Sequence, residues 1–160
     1  MVRCESTEIS KQLQDFSNER VLVIGGAGFV GAAIVRQLLD HNATVSVFDI
    51  RQPKYNFESS SVKFFIGDIC NVDDVSKAIK DQTIIIHTAS PPHGQSKKIY
   101  FKVNVEGTKN VMDICKKFKV KKLVFTSSAS VVFNGTDVLN GDETIPYCDV
   151  HMDAYNESKV

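Results

Sequence analysis

The sequence predicts an α/β domain built on a doubly wound parallel sheet of strand order 3-2-1-4-5. Three observations predict it. From residue 20 onward, short runs rich in β-branched residues alternate with segments of helical period. These runs are apolar end to end, as strands covered on both faces are. The residues with chemical potential fall just after the runs, where the carboxyl ends of the strands of such a sheet lie.

Taken in order, Arg20–Gly25 (RVLVIG) is the first strand. Phe29–Asp40 carries apolar residues at Val30, Ala33, Ile34 and Leu38, a helical period. Thr44–Asp49 (TVSVFD) and Val62–Ile66 (VKFFI) are the second and third strands, and Val72, Val75 and Ile79 space a short helix. Thr83–Ala89 (TIIIHTA) is the fourth strand. Tyr100 to Phe118 reads as one long helix with Tyr100, Asn104, Thr108, Val111, Met112, Cys115 and Phe118 along a face. Lys121–Ser127 (KKLVFTS) is the fifth strand. A loop rich in Gly, Asn and Asp covers 133–151, and Asp153 to Val160 opens another helix. Residues 1–19 form an N-terminal extension with some helical character, ahead of a single domain over 20–160.

Composition narrows the function classes. The 160 residues contain 19 Lys+Arg and 19 Asp+Glu, so no cationic excess is available to neutralise a nucleic acid. The basic cluster Lys116, Lys117, Lys119, Lys121 and Lys122 is expected to be a solvated face that offsets a helix C-terminal dipole. No apolar run reaches the roughly 18 residues of a membrane span, and the polar start Met1 to Glu19 does not read as a secretory signal. Cys4, Cys70, Cys115 and Cys148 are spread without a C-x-x-C and are expected to be free thiols in a reducing compartment. The histidines show no metal-ligand spacing, and no metal is expected.

Gly25-Gly26-Ala27-Gly28-Phe29-Val30-Gly31 lies between the first strand and the first helix, the context a phosphate loop requires. Gly25 permits a tight turn, Gly28 lets the backbone approach a pyrophosphate, and Gly31 lets the helix pack closely. The helix N-terminus brings unpaired N–H groups and partial positive charge. Asp49 ends the second strand, where a carboxylate accepts from a ribose 2′-hydroxyl and repels a 2′-phosphate. The loop and the acid together predict NAD as cofactor, with NADP less favoured although Arg51 could reach a 2′-phosphate. Asp68 is placed either to contact the adenine or to cap the helix that begins near Asn71.

Tyr155-Asn156-Glu157-Ser158-Lys159 puts a phenol and an ammonium four residues apart on one helical face. A lysine beside a tyrosine favours the phenolate, which can take a proton from an alcohol as hydride leaves the same carbon. Ser128, within Thr126-Ser127-Ser128-Ala129 at the end of the fifth strand, can hydrogen-bond the reacting oxygen.

Gly25–Gly31, Asp49, Gly67-Asp68, His87-Thr88-Ala89-Ser90-Pro91-Pro92, Val103-Asn104-Val105-x-Gly107-Thr108 and Tyr155-x-x-x-Lys159 together resemble the extended short-chain dehydrogenases. More narrowly, the chain resembles their 3β-hydroxysteroid dehydrogenase branch. Val23-Ile24-Gly25-Gly26, Thr126–Phe133 and Asn140-Gly141-Asp142-Glu143 are similar to the sterol-4α-carboxylate 3-dehydrogenases within it. The resemblance covers about residues 20–160. It implies a Rossmann-type NAD(P) domain with catalytic Tyr155, Lys159 and Ser128. The cofactor residues it implies are Gly25, Gly28, Phe29, Val30, Gly31, Asp49, Asp68, Ile69, Ala89, Ser90 and Lys159. Asn104 would hold the family's helix asparagine position.

The implied reaction oxidises a 3β-hydroxysterol bearing a 4α-carboxylate to the 3-ketone by hydride transfer to NAD, after which the β-keto acid loses carbon dioxide readily. A sterol or steroid is then the small-molecule partner. A homodimer is the assembly to look for in the full-length protein, and the expected setting is the cytoplasmic side, with association to the endoplasmic reticulum implied for full-length relatives. Members of the family are longer. The chain therefore reads as C-terminally truncated, with the substrate region absent, Tyr155 and Lys159 weakly held on a costly isolated turn, and cofactor binding with little or no turnover. Two other readings share these motifs: a nucleotide-sugar epimerase or other extended short-chain reductase, and a non-catalytic NAD-binding module.

Overall fold

The computed structural model describes residues 16–53, 57 and 62–160. The elements run β1 (Arg20–Ile24), α1 (Phe29–Asp40), β2 (Thr44–Asp49), β3 (Lys63–Ile66), α2 (Val72–Ile79), β4 (Ile84–His87), α3 (Lys97–Tyr100), a π-helical stretch (Phe101–Gly107), α4 (Thr108–Lys117), β5 (Lys122–Phe125), a 3₁₀ turn (Ala129–Val132) and α5 (Ala154–Glu157). The five strands form one sheet in the order β3-β2-β1-β4-β5. Every pairing is parallel, with Val23 beside Val47 on one side and Ile86 on the other. The order reverses beside β1, so the ends of β1 and β4 frame the crevice where such sheets bind ligands.

Alternation along β1 divides the core. Leu22 and Ile24 pack with Phe48, Val75, Ile79, Ile85, Val111 and Ile114 under α2 and α4. Val21 and Val23 pack with Val35, Leu38, Val45 and Val47 under α1. Phe16, from the expected N-terminal extension, joins the second cluster. Residues 16–19 contain no helix, and the rest of that expectation lies outside the described residues.

Full covering on both faces holds for the central strands. The outer two are more open: Phe64 and Ile66 on β3 and Val124 and Phe125 on β5 are exposed. β4 and β5 are also shorter than the runs Thr83–Ala89 and Lys121–Ser127. Thr83 and Thr88 flank β4 and are tied to β1 by their own side chains, through Arg20 and Ile24.

Two helical faces differ from their expected registers. In α1 the buried residues are Gly31, Ala32, Val35 and Leu38, and Val30 is exposed. The close seat of Gly31 on the glycine loop sets the inward face and leaves Val30 on the open first turn. The Tyr100–Phe118 segment is not one uniform α-helix. It is π-helical over Phe101–Gly107, and α4 buries Val111, Ile114 and Cys115 while Met112 is exposed.

Candidate cofactor and catalytic site

The glycine loop is built as its spacing requires. Gly25 has φ of +85°, and a Cβ there would come within 2.7 Å of the Ala89 nitrogen and 2.8 Å of Thr88 Oγ1. Its N–H donates to the Phe48 carbonyl at 2.8 Å, and its carbonyl accepts from the Gly28 N–H at 3.0 Å. A Cβ on Gly31 would overlap that same carbonyl oxygen. The α1 helix opens at Gly28 without a side-chain cap and without an acidic residue in its first turn. Its first-turn N–H groups therefore keep the hydrogen-bonding capacity and positive dipole end that suit an anion. Phe29 and Val30 lie exposed on this turn.

Asp49 is joined to the loop. Its Oδ2 accepts the Ala27 N–H at 3.1 Å, and its Oδ1 accepts the Arg51 N–H at 3.2 Å. The end of β2 thus carries a carboxylate held against the glycine loop, with part of its surface open.

The remaining rim residues divide. Asp68 Oδ1 accepts the Cys70 N–H at 2.9 Å, and the cap of α2 is Asn71, which accepts from Asp73 and Asp74. The capping alternative for Asp68 is therefore corrected: Asn71 stands at the position from which a side chain reaches the first-turn N–H groups. Ile69 is turned into the core beneath Gly107, where a Cβ would meet it at 2.6 Å, so only its backbone belongs to the rim. Ala89 is half-buried beside Gly25, and Ser90 is exposed at the start of the loop after β4.

The five residues Tyr155–Lys159 are each anchored. The Tyr155 ring packs at 5.5 Å from His93 and edge-on at 5.7 Å from Tyr100. Asn156 Oδ1 accepts from Ser130 Oγ at 2.7 Å. Glu157 pairs with Lys97 at 2.7 Å. Ser158 Oγ accepts from Asn104 Nδ2 at 2.8 Å and donates to the Tyr155 carbonyl at 2.7 Å. Lys159 is buried: its ammonium donates to the Thr126 carbonyl at 3.2 Å and lies 5.0 Å from the Phe125 ring centre and 5.9 Å from that of Tyr155. The Lys159 carbonyl accepts from Ser127 Oγ at 3.0 Å. The turn that sequence alone marks as weakly held thus has ties to the β4–α3 loop, α3, the π-helical stretch, β5 and the 3₁₀ turn.

Burial lowers the Lys159 pKa below the ordinary lysine range. His87, buried at the end of β4, is pushed down to about 4 by burial and by the Lys159 charge. Its Nε2 bonds Thr108 Oγ1 at 3.0 Å, and its Nδ1 has no partner among the described residues.

Sequence reasoning missed the supporting residues. Tyr100 is on its helical face but nothing in the pattern aims it at Tyr155; its hydroxyl donates to the Pro92 carbonyl at 3.2 Å and so also fixes the loop after β4. Ser130 and Asn156 lie within quoted motifs, and no spacing rule joins residues 26 positions apart.

The 3-beta hydroxysteroid dehydrogenase/isomerase family model matches residues 22–160. The chain is 48% identical over 154 residues to a decarboxylating sterol-4-alpha-carboxylate 3-dehydrogenase of Candida albicans, covering 90% of this chain and 44% of that protein. It is 46% identical over 143 residues to the mouse protein of the same name, covering 89% and 39% respectively. It therefore spans less than half the length of these relatives. Among solved structures, a short-chain dehydrogenase/reductase superfamily protein from Agrobacterium tumefaciens with bound NAD superposes with a TM-score of 0.77 at 29% identity, over 88% of this chain and 42% of that one. A Thermus thermophilus UDP-glucose 4-epimerase with NAD gives 0.75 at 31% identity, over 88% and 47%. With its Rossmann sheet, glycine loop and Tyr-x-x-x-Lys turn in place, the chain belongs to the 3-beta hydroxysteroid dehydrogenase/isomerase family.

Proposed function

We propose that this chain supplies the cofactor half and the proton-transfer residues of an NAD-dependent sterol 3β-dehydrogenase acting on 4α-carboxysterols. One observation carries the reading: Lys159 is seated on the end of β5, so the Tyr-x-x-x-Lys turn and the glycine loop share the carboxyl edge of one sheet. The names of the Candida and mouse relatives support the substrate class. The NAD-bound solved structures support the cofactor.

The residues present fit a dinucleotide. Gly25 and Gly31 leave a cradle that a Cβ would fill, and the uncapped α1 turn suits a pyrophosphate. Asp49 would hold the adenosine ribose and, by repelling a 2′-phosphate, favour NAD over NADP. Asp68 and the Ile69 backbone would border the adenine; Ala89 and Ser90 would border the pyrophosphate and nicotinamide side. When bound, the nicotinamide supplies the hydride acceptor. Tyr155 takes the proton of the 3β-hydroxyl. The Lys159 ammonium stabilises the phenolate and would also reach the nicotinamide ribose. Ser128 gives a hydrogen bond to the substrate oxygen as it becomes a carbonyl.

Titrating the chain with NAD and with NADP tests the cofactor claim. Saturable NAD binding, tighter than NADP, is expected, and absence of NAD binding would sink it. Formation of NADH with a 4α-carboxy-3β-hydroxysterol, set against a nucleotide-sugar substrate, tests the substrate class. Turnover of the sugar nucleotide in preference to the sterol would transfer the reading to the epimerases.

A further inference from the structure

Ser128, Ser130 and Asn156 form a chain of side-chain hydrogen bonds whose direction follows from their proton count. Ser130 Oγ lies 2.7 Å from Asn156 Oδ1. A carboxamide oxygen carries no proton, so Ser130 directs its one hydroxyl proton there. Ser130 Oγ also lies 2.6 Å from Ser128 Oγ. With the Ser130 proton committed, the proton between the two serines is that of Ser128. Ser128 Oγ in turn accepts the Ser130 backbone N–H at 3.3 Å. In this arrangement Ser128 points its proton inward and has none to give a substrate oxygen.

Turning the Asn156 amide reverses the chain. Its NH₂ group then donates to Ser130, Ser130 donates to Ser128, and the Ser128 proton is released outward. Among Ser128, Ser130 and Asn156 the number of bonds is the same in both states, three in each. A substrate oxygen beside Ser128 adds one bond to the second state and meets lone pairs in the first. Substrate binding therefore favours the reversed chain.

We propose that Asn156 is a positioning residue: through Ser130, the orientation of its amide decides whether Ser128 offers its proton to the substrate oxygen or withholds it. This rests on the role given to Ser128 above. It makes the residue directly after Tyr155 responsible for the third member of the constellation, so the α5 turn organises both the proton acceptor and the hydrogen-bond donor.

The test places a carboxyl group at this position in the 160-residue chain. In Asn156→Asp the ionised carboxylate can only accept, which locks the Ser128 proton inward; once protonated, it can donate and reverse the chain. By NMR, the Ser128 Cβ resonance and hydroxyl-proton exchange are expected to titrate with the midpoint of the new carboxyl. The dependence should persist with Ser130→Thr added and fall to the through-space background with Ser130→Ala added. Asp153, which accepts the Asn156 N–H at 2.8 Å, and the nearby Glu157, Lys97 and Lys159 also carry charge. Their through-space effects survive Ser130→Ala and so serve as the internal control. A titration unchanged by Ser130→Ala, or no response at Ser128 in Asn156→Asp, overturns the proposal.

If Asn156→Asp fails to fold, Asn156→Ala is read instead. It should move the Ser128 resonance in the wild-type background but not in Ser130→Ala, and an unmoved Ser128 overturns the proposal equally. These readouts need neither NAD nor sterol. Failure of the relay therefore leaves the cofactor titration standing, and failure of the titration leaves the relay standing.

Discussion

The Lys159 ammonium donates to the Thr126 carbonyl oxygen at 3.2 Å, and among the described residues no carboxylate pairs with it. A buried cation with one carbonyl and two aromatic rings as neighbours is under-compensated for its lost hydration. Burial lowers its pKa, so the unfolded chain holds this proton more tightly than the folded one. The cost is fully present at neutral pH and is relieved as pH rises through the folded value toward 10.5. Lys159→Met is therefore expected to stabilise the chain by about 1 kcal/mol at pH 7, measured as a raised urea midpoint. The same variant should weaken NAD binding. A lowered midpoint would show that the Thr126 bond outweighs desolvation.

His87 predicts an acid limb with the same sign and a different window. Unfolded, it protonates near 6.5; folded, it stays neutral down to about 4 because burial and Lys159 oppose its charge. Stability from this group is intact above pH 6.5 and is lost as pH falls from 6.5 to about 4. The full loss is on the order of 3 kcal/mol. His87→Gln, which can retain a bond to Thr108, should flatten the fall in denaturation midpoint across that window. An equally steep fall in the variant would assign the acid limb to other groups.

The sheet was legible because its signal is redundant. The inner positions of β1, β2 and β4 are buried and mostly apolar, and the glycine loop fixes where the first crossover begins. Gly25 and Asp49 were legible for a related reason: each sits at a strand end, where topology assigns residues to the ligand edge. The π-helical stretch was not legible, since its wider turn leaves no mark in a 3.6 pattern; Ile114 was missed for a different reason, because the expected face was drawn through Met112, which lies farther round the helix from Tyr100 than Ile114 does. The contacts that hold Tyr155–Lys159 were not legible either. Lys97 with Glu157, Asn104 with Ser158 and Ser130 with Asn156 join residues far apart in the chain, and local periodicity carries no information about such pairs.

Asp49 supports a prediction about cofactor choice. Its two carboxylate oxygens accept the Ala27 and Arg51 N–H groups while the residue remains partly open. Asn in its place keeps an acceptor for one of these N–H groups and removes the charge. Hydrogen bonds to charged groups exceed neutral ones by roughly 1 kcal/mol or more. Asp49→Asn should then weaken NAD binding by about tenfold and narrow the preference over NADP, because repulsion of the 2′-phosphate is gone. Calorimetric titration with both nucleotides checks this. An unchanged ratio of the two affinities would remove Asp49 from the selectivity argument.

Gly28 and Gly31 separate cofactor space from fold space. Gly28 has φ of −80° and ψ of 171°, a conformation open to any residue. A Cβ there meets nothing closer than the Gly25 carbonyl oxygen at 3.2 Å. A methyl group at Gly28 is therefore accommodated by a shift of a few tenths of an ångström, yet it stands at the mouth of the uncapped α1 turn. At Gly31 the Cβ would overlap the Gly25 carbonyl and crowd the Gly26 Cα at 2.8 Å, all of it backbone. The helix and loop would have to part, an overpacking cost of about 1–3 kcal/mol. Gly28→Ala should keep its denaturation midpoint near wild type while NAD affinity drops more than tenfold. Gly31→Ala should lose both. A Gly31→Ala chain with a wild-type midpoint would mean that helix and loop part at little cost, and an equal loss in both variants would mean that Gly28 is as tightly packed as Gly31. A Gly28→Ala chain that binds NAD normally would mean that the pyrophosphate does not lie against this turn.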